Sequence, residues 1–260
     1  MKIVFHKYQG TGNDFIIIDN RNLNFKSANI KAIVQLCDRK FGIGADGLML
    51  LESKPGYDFE VKYYNSDGSQ SLCGNGSRCI VNFARELKII KDKTIFWAID
   101  GEHEAVIGKN KIVSLKMHDV NKVEAGFDFY FLNTGSPHYV SFVTSLKKLD
   151  VYQLGKKIRN SPRFKREGTN VNFVEIKSNT LFIRTYERGV EGETLSCGTG
   201  VTAVALAASI QTKAKNKDWY NINTKGGNLK VKFKKKKDGS FSDIWLEGPA
   251  EFVFKGEINV

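Results

Sequence analysis

One series of segments occurs twice in this chain. Gly10-Thr11-Gly12-Asn13-Asp14 stands before the apolar run Phe15-Ile16-Ile17-Ile18, and Asn133-Thr134-Gly135-Ser136-Pro137-His138 stands before Tyr139-Val140-Ser141-Phe142-Val143. Gly44-Ala45-Asp46-Gly47 precedes Leu48, and Gly168-Thr169-Asn170 precedes Val171. Val61-Lys62-Tyr63-Tyr64-Asn65 is echoed by Ile183-Arg184-Thr185-Tyr186-Glu187, and Cys73-Gly74-Asn75-Gly76 by Cys197-Gly198-Thr199-Gly200. All four pairs are offset by 122 to 124 positions. A chain of 260 residues with that spacing is expected to fold as two similar halves joined within 119–127. Two such halves are expected to face each other across a pseudo-two-fold axis, so that a site between them receives equivalent residues from both.

Periodicity makes each half an α+β unit rich in strands. Alternating or continuous apolar runs predict strands at 3–5, 15–19, 48–52, 59–64, 94–99, 104–107 and 112–115. The second half offers 139–143, 172–176, 181–186, 220–223, 229–233, 242–247 and 250–255. Helices are predicted at 28–39, where Ile30, Ile33, Val34 and Cys37 share a face, at 77–87 and 199–211 after the two Cys-Gly-x-Gly segments, and at 150–159.

Several function classes drop out. No run approaches the ~20 apolar residues of a membrane helix. The first ten residues lack the apolar core of an export signal. Cys37, Cys73, Cys79 and Cys197 are therefore expected as reduced thiols in a cytoplasmic chain. No Cys-x-x-Cys pair suggests a metal site. The net charge of +12 reads as a lysine-rich surface rather than a nucleic-acid site. Its densest run, 234–237, ends at the turn signal Asp238-Gly239 and lacks interleaved aromatics. Gly42-Ile43-Gly44-Ala45-Asp46-Gly47 matches a dinucleotide fingerprint literally, but it follows a helix and precedes a strand, the reverse of what that site needs.

The chemistry lies in the two cysteine segments. Glycines there expose backbone N–H groups, and the following helix directs its positive end at the cysteine. Such a place binds a carboxylate and favours a thiolate. Two such thiols on opposite faces of one ligand form an acid/base pair suited to inverting a stereocentre. Helix N-termini aimed at the carboxylate would stabilise the carbanion. Cys37 and Cys79 read as packed core thiols. Glu187-Arg188 ends a strand before the second cysteine loop, where Arg can grip a carboxylate bidentately.

With these blocks in this order, the chain resembles the diaminopimelate epimerase family over essentially its whole length. The blocks are 10–15, 42–47, 65–69, 73–79, 135–138, 186–189 and 197–200. The resemblance implies two pseudo-symmetric domains of similar size, each a curled mixed β-sheet around a central helix. The domains would be 1–120 with 252–260, carrying Cys73, and 121–251, carrying Cys197, with the active site in the cleft between them. It implies cofactor-independent interconversion of LL- and meso-2,6-diaminopimelate in lysine and peptidoglycan precursor synthesis, without pyridoxal phosphate or metal. Cys73 and Cys197 resemble the base and acid, and His138 and Glu187 the residues that tune them. Asn13, Asn65, Asn170 and Arg188, with the Glu187 backbone, resemble the substrate clamp. Gly74, Asn75, Gly198 and Thr199 resemble the two anion cradles. Gly47 stands where some members carry Gln, and Ser136 where many carry Asn. The expected partner is the small-molecule substrate, with no nucleic acid or membrane, in a homodimer. A related proline or hydroxyproline racemase is the alternative, although a substrate without a second amino-carboxyl end has no use for Arg188 and Asn170.

Overall fold

The computed structural model describes residues 2–212 and 217–260. The chain divides into two compact units: unit 1 is Met1–Leu115 with Gly248–Val260, and unit 2 is Lys116–Glu247.

Unit 1 contains β1 (Lys2–Gly10), β2 (Asn13–Asp19), α1 (Ile30–Cys37), β3 (Gly47–Glu52), β4 (Glu60–Asn65), α2 (Gly74–Glu86), β5 (Lys93–Ala98), β6 (Gly101–Ile107) and β7 (Ile112–Met117), whose last residues enter unit 2. Unit 2 follows with β8 (Val123–Ala125), β9 (Tyr130–Asn133), β10 (Pro137–Phe142), α3 (Val151–Arg159), β11 (Asn170–Lys177), β12 (Thr180–Glu187), β13 (Gly192–Thr194), α4 (Gly198–Gln211), β14 (Trp219–Thr224), β15 (Gly227–Lys235) and β16 (Phe241–Pro249). The chain returns to unit 1 at the end of β16 and finishes as β17 (Glu251–Asn259).

Both units follow one plan. In unit 1, β2 lies parallel to β3 with α1 in the connection, β3 antiparallel to β4, and β4 parallel to β5 with α2 in the connection. In unit 2, β10 and β11 are parallel around α3, β11 and β12 antiparallel, and β12 and β14 parallel around α4. Antiparallel hairpins extend both sheets, through β5–β6–β7 and β14–β15–β16. Parallel neighbours need a long crossover, which is where the helices fall. The fold is therefore α+β with a mixed sheet in each unit, as the sequence predicts. β1 pairs with β2 on one side and β17 on the other.

α2 and α4 are the central helices. α2 packs on β1, β2, β3, β6 and β17, and α4 on strands from β9 to β15. α4 can be surrounded because Val201 and the run from Ala203 to Ala208 are apolar on every side and fully buried. α2 carries polar groups into its core and satisfies them: buried Asn82 donates to the Ala250 carbonyl at 2.9 Å.

Two local expectations change. α2 and α4 begin at Gly74 and Gly198, not at 77 and 199, so Cys73 and Cys197 are themselves the cap residues. α1 is shorter than 28–39 and rotated from the predicted face. It buries Ala32, Ile33, Leu36 and Cys37, while Ile30 and Val34 stay exposed by 40% and 39%. Leu36 and Ala32 compete for the same stripe, and the loop after the helix folds back on it through Ile43 and Gly44 amide bonds to the Leu36 carbonyl. The strands β8, β9 and β13 were not predicted; they are three or four residues long, too short for a period to register. The lysine run ends in an exposed turn between β15 and β16, with Gly239 at φ +86°. Among the described residues no helix is long and apolar enough to cross a membrane.

The rotation of α1 is testable by denaturant unfolding. Ile33→Ala, at a fully buried site, should cost about 2–4 kcal/mol. Val34→Ala should cost less than ~1 kcal/mol; equal losses would restore the predicted face.

Candidate active site

Each cysteine is the N-cap of a central helix. Cys73 has φ −125° and ψ 113°, and Cys197 φ −124° and ψ 112°. Neither cap side chain bonds the first-turn amides, and neither first turn contains an acidic residue. The amides of the first turn have no helical carbonyl to bind, and such a helix end suits an anionic ligand. Gly76 and Gly200 lie inside the helices without positive φ, so their role is close approach rather than a turn. A Cβ at Gly200 would sit 2.6 Å from Asn172 Oδ1, and one at Gly76 3.3 Å from Met49 Sδ. Cys73 is half-buried and Cys197 buried. Burial pushes the Cys37 thiol up to about 11 and the Cys79 thiol higher still, so both are inert at neutral pH.

In unit 1 the polar residues around α2 form a braced set. Asn75 Nδ2 donates to Asn13 Oδ1 at 2.5 Å, and Asn13 Nδ2 donates to Asp46 Oδ2 at 2.9 Å. Asp46 and Asp14 share Arg39, and Lys7 is buried against Asp14 at 2.8 Å. Burial would raise the Asp14 carboxyl, but bonds from Arg39 and Lys7 outweigh it and hold it at about 2. Asn65 is fixed separately, donating to Ser69 Oγ at 3.0 Å and accepting from Ser71 Oγ at 3.3 Å. Arg78, fully buried, donates to Thr11 Oγ1 at 3.1 Å, Asn75 Oδ1 at 3.0 Å and the carbonyls of Gly74 and Pro249. All four acceptors are neutral, so this guanidinium contributes positive potential beneath the first turn of α2. Gly47 is buried and offers backbone alone; a Cβ there would lie 2.7 Å from the Tyr63 hydroxyl, which fills the space.

In unit 2, Asn170 is the hub. Its Nδ2 donates to Ser136 Oγ at 3.0 Å, and its Oδ1 accepts from the Arg188 amide at 2.9 Å. Arg188 reaches Ser136 Oγ at 3.3 Å and the Glu167 carbonyl at 2.9 Å, with its side chain exposed. Glu187, half-buried, accepts from Thr194 Oγ1 at 2.8 Å. His138 Nε2 is 2.9 Å from Thr199 Oγ1, which is 3.4 Å from Cys197 Sγ. Burial, aided by the Arg188 charge, lowers the His138 pKa to about 3, so the imidazole is neutral. Thr134 Oγ1 ties the preceding loop to the Thr199 carbonyl at 2.8 Å.

Each unit thus links its own predicted residues: Asn13 to Asn75 in the first turn after Cys73, with Asn65 and Gly47 paired in the β3–β4 register, and in unit 2 Ser136, Asn170 and Arg188 to one another and His138 to Thr199, which contacts Cys197. Glu187 lies one residue before Arg188 at the end of β12. Arg78, Asp46, Thr134 and Asn172 join the site without standing among the residues that the sequence singles out. Asn172 was legible in principle, since Asn170 and Asn172 alternate on one strand and so share a face. Among the described residues no cluster of three His, Cys, Asp or Glu side chains could hold a metal ion.

A duplicated α+β fold with a cysteine capping the central helix of each half defines the structural class. The Bacillus anthracis phenazine biosynthesis protein of the PhzF family shares the fold, with a TM-score of 0.80 at 12% identity and full coverage of both chains. A hydroxyproline epimerase from Agrobacterium vitis has a TM-score of 0.71 at 13% identity, over 99% of this chain and 92% of that one. At that identity the likeness is one of fold. The sequence profile of diaminopimelate epimerase matches residues 5–123 and 130–253. The diaminopimelate epimerase of Flavobacterium psychrophilum is 54% identical over 97% of this chain and 99% of its own length. The chain belongs to the diaminopimelate epimerase family and is an isomerase.

Neutral burial of His138 has a pH consequence. Unfolded, this group takes a proton near its usual 6.5; folded, it refuses one until about 3. The unfolded state binds more protons in that window, so the stability is fully present above 6.5 and is lost as pH falls. The His138 share of the slope approaches about 1.4 kcal/mol per pH unit. Denaturant titrations between pH 4 and 8 should show a flatter acid limb for His138→Gln than for the wild type. Parallel limbs would mean that His138 is protonated in the folded state.

Proposed function

We propose that this chain interconverts LL- and meso-2,6-diaminopimelate by two-base proton transfer, with Cys73 and Cys197 as base and acid and no cofactor. The observation that carries the reading is the pair of cysteines capping two buried helices with matching backbone geometry. In one direction a thiolate takes the Cα proton, breaking C–H and forming S–H, while the other thiol delivers its proton to the opposite face. The product leaves with the two sulfurs in exchanged protonation states, so the reverse reaction uses the same groups in exchanged roles. The first-turn amides of α2 and α4 hold the carboxylate and draw charge from the carbanion. His138, through Thr199, and Glu187 set the thiol acidities, Arg78 adding its charge on the Cys73 side.

Asn13, Asn65 and Asn75 would bind the substrate beside Cys73, with Gly47 contributing backbone alone. Asn170, Ser136, Arg188 and the Glu187 backbone would clamp its far amino-carboxyl end. Arg188 is suited to this because its guanidinium is accessible while its backbone is held by Asn170. That second anchor favours diaminopimelate over proline or hydroxyproline, which have no such end. The reading makes the protein a cytoplasmic enzyme of lysine and peptidoglycan precursor synthesis, acting on a small amino acid rather than on nucleic acid or membrane. A symmetric homodimer is the simplest assembly.

Proton NMR of LL-diaminopimelate with the reduced protein in deuterium oxide tests it. Deuterium should enter one Cα as the meso isomer accumulates. Cys73→Ala and Cys197→Ala should each reduce epimerisation by about a hundredfold or more. Near-full turnover in either variant would sink the two-base reading, and turnover of proline alone would move the chain to the alternative.

A further inference from the structure

The two units place unlike residues at like positions around their cysteines. In unit 1, Phe15 pairs with Gly47 and Met49 with Tyr63 across the β2–β3–β4 register. In unit 2 the same rungs are His138 with Asn170 and Asn172 with Thr185. The correspondence holds at the central helix too. A Cβ at Gly76 would sit 3.4 Å from Phe15 Cε1, and one at Gly200 3.4 Å from His138 Cε1. Unit 1 thus fills with Phe15, Met49 and Tyr63 the three places that unit 2 gives to His138, Asn172 and Thr185. Unit 1 fills these rungs without an imidazole or an amide, so the His138–Asn172 pair in unit 2 calls for another explanation.

The bonds in that set run in one direction. Asn172 Nδ2 lies 3.0 Å from the Tyr139 carbonyl, which only accepts, and this fixes which end of the amide is nitrogen. Thr185 Oγ1 donates to Asn172 Oδ1 at 3.0 Å, in agreement. The second Nδ2 hydrogen then points at His138 Nδ1, 3.1 Å away. Nδ1 is therefore the lone-pair nitrogen. A neutral imidazole in that state carries its proton on Nε2 and donates to Thr199 Oγ1. Thr199 has one hydroxyl proton; having accepted from His138, it is placed to give that proton to Cys197 Sγ, 3.4 Å away.

The geometry points to Asn172 as a positioning residue: by donating to His138 Nδ1 it fixes the imidazole tautomer, so that the Thr199 hydroxyl donates to Cys197 Sγ and stabilises the thiolate. Thr185 and the Tyr139 carbonyl hold Asn172 in that orientation. The relay moves no proton along its length. It keeps a donor aimed at sulfur when sulfur is an anion and leaves the hydroxyl free to turn when sulfur is protonated. Its importance to catalysis rests on the assignment of Cys197 as a reacting thiol; the relay itself is a property of unit 2 and can be read without substrate.

Two measurements test it on the full chain. The first is 15N NMR of histidine-labelled wild-type protein, with the His138 signal assigned by its loss in His138→Gln. It should show Nδ1 unprotonated and Nε2 protonated across pH 5 to 9; a protonated Nδ1 overturns the proposal. The second is the pH profile of iodoacetamide alkylation at Cys197, followed by peptide mass mapping. Asn172→Asp, whose carboxylate accepts from Nδ1–H and reverses the relay, should raise the Cys197 midpoint by about one unit, a tenfold loss of thiolate at fixed pH. Asn172→Met, the residue unit 1 carries at this rung, should raise it too. Thr199→Val should match the Asp shift, and Thr199→Ser should keep the wild-type midpoint. In Asn172→Asp, kcat should fall while KM holds. An unchanged Cys197 midpoint in folded Asn172→Asp or Thr199→Val refutes the relay. A shifted midpoint in a protein that never turns over diaminopimelate would leave the relay standing and defeat the proposed function instead.

Discussion

The rest of the site depends on where a buried helix begins. Cys73 and Cys197 take an extended backbone, and the next residue is already helical. That places a sulfur beside amides that no carbonyl within the helix can satisfy. The arrangement requires the helix to be central. An exposed helix would offer those amides to water, whereas α2 and α4 are each enclosed by the sheet of their own unit. The apolar sides of α4 and the satisfied polar groups of α2 are thus conditions of the chemistry as well as of stability.

The fold was legible because it is written twice. A single Cys-Gly-x-Gly segment says little, but two at the same distance as three other repeats define a plan. Most long strands could be placed from their apolar runs. What escaped had physical causes. The helix starts were misplaced because glycine at the first turn reads locally as a turn residue, whereas here it permits Asn172 and Met49 to approach the helix closely. The face of α1 is ambiguous in the sequence because Ile30 and Val34 are apolar yet lie at the edge of the packed stripe. Strands β8, β9 and β13 are held by pairing with neighbours rather than by a pattern of their own.

The site was legible in part. Its two cysteines and the asparagines Asn13, Asn65, Asn75 and Asn170 stand in the repeated segments, and Arg188 directly follows one. The residues that orient them do not stand out. Arg78 reads as an ordinary helical arginine until its burial among neutral oxygens is seen. Asn172 reads as one polar residue in a strand until its amide bridges a carbonyl and an imidazole. Duplication hides such residues, because it draws attention to what the halves share. The differences at matching rungs, a phenylalanine against a histidine and a methionine against an asparagine, are where each half departs from packing alone.

The last strand has a consequence for how the protein is made. β17 completes the sheet of unit 1 by pairing with β1, which is synthesised before unit 2. Unit 2 is continuous in sequence and has all its residues in hand once Glu247 is added. β1 must therefore wait for β17, its edge open while a whole unit is synthesised. An open edge is a place where other strands can pair. Translation speed and chaperone access up to the release of β17 should thus govern the yield of this protein more than they would for a chain whose domains close in order.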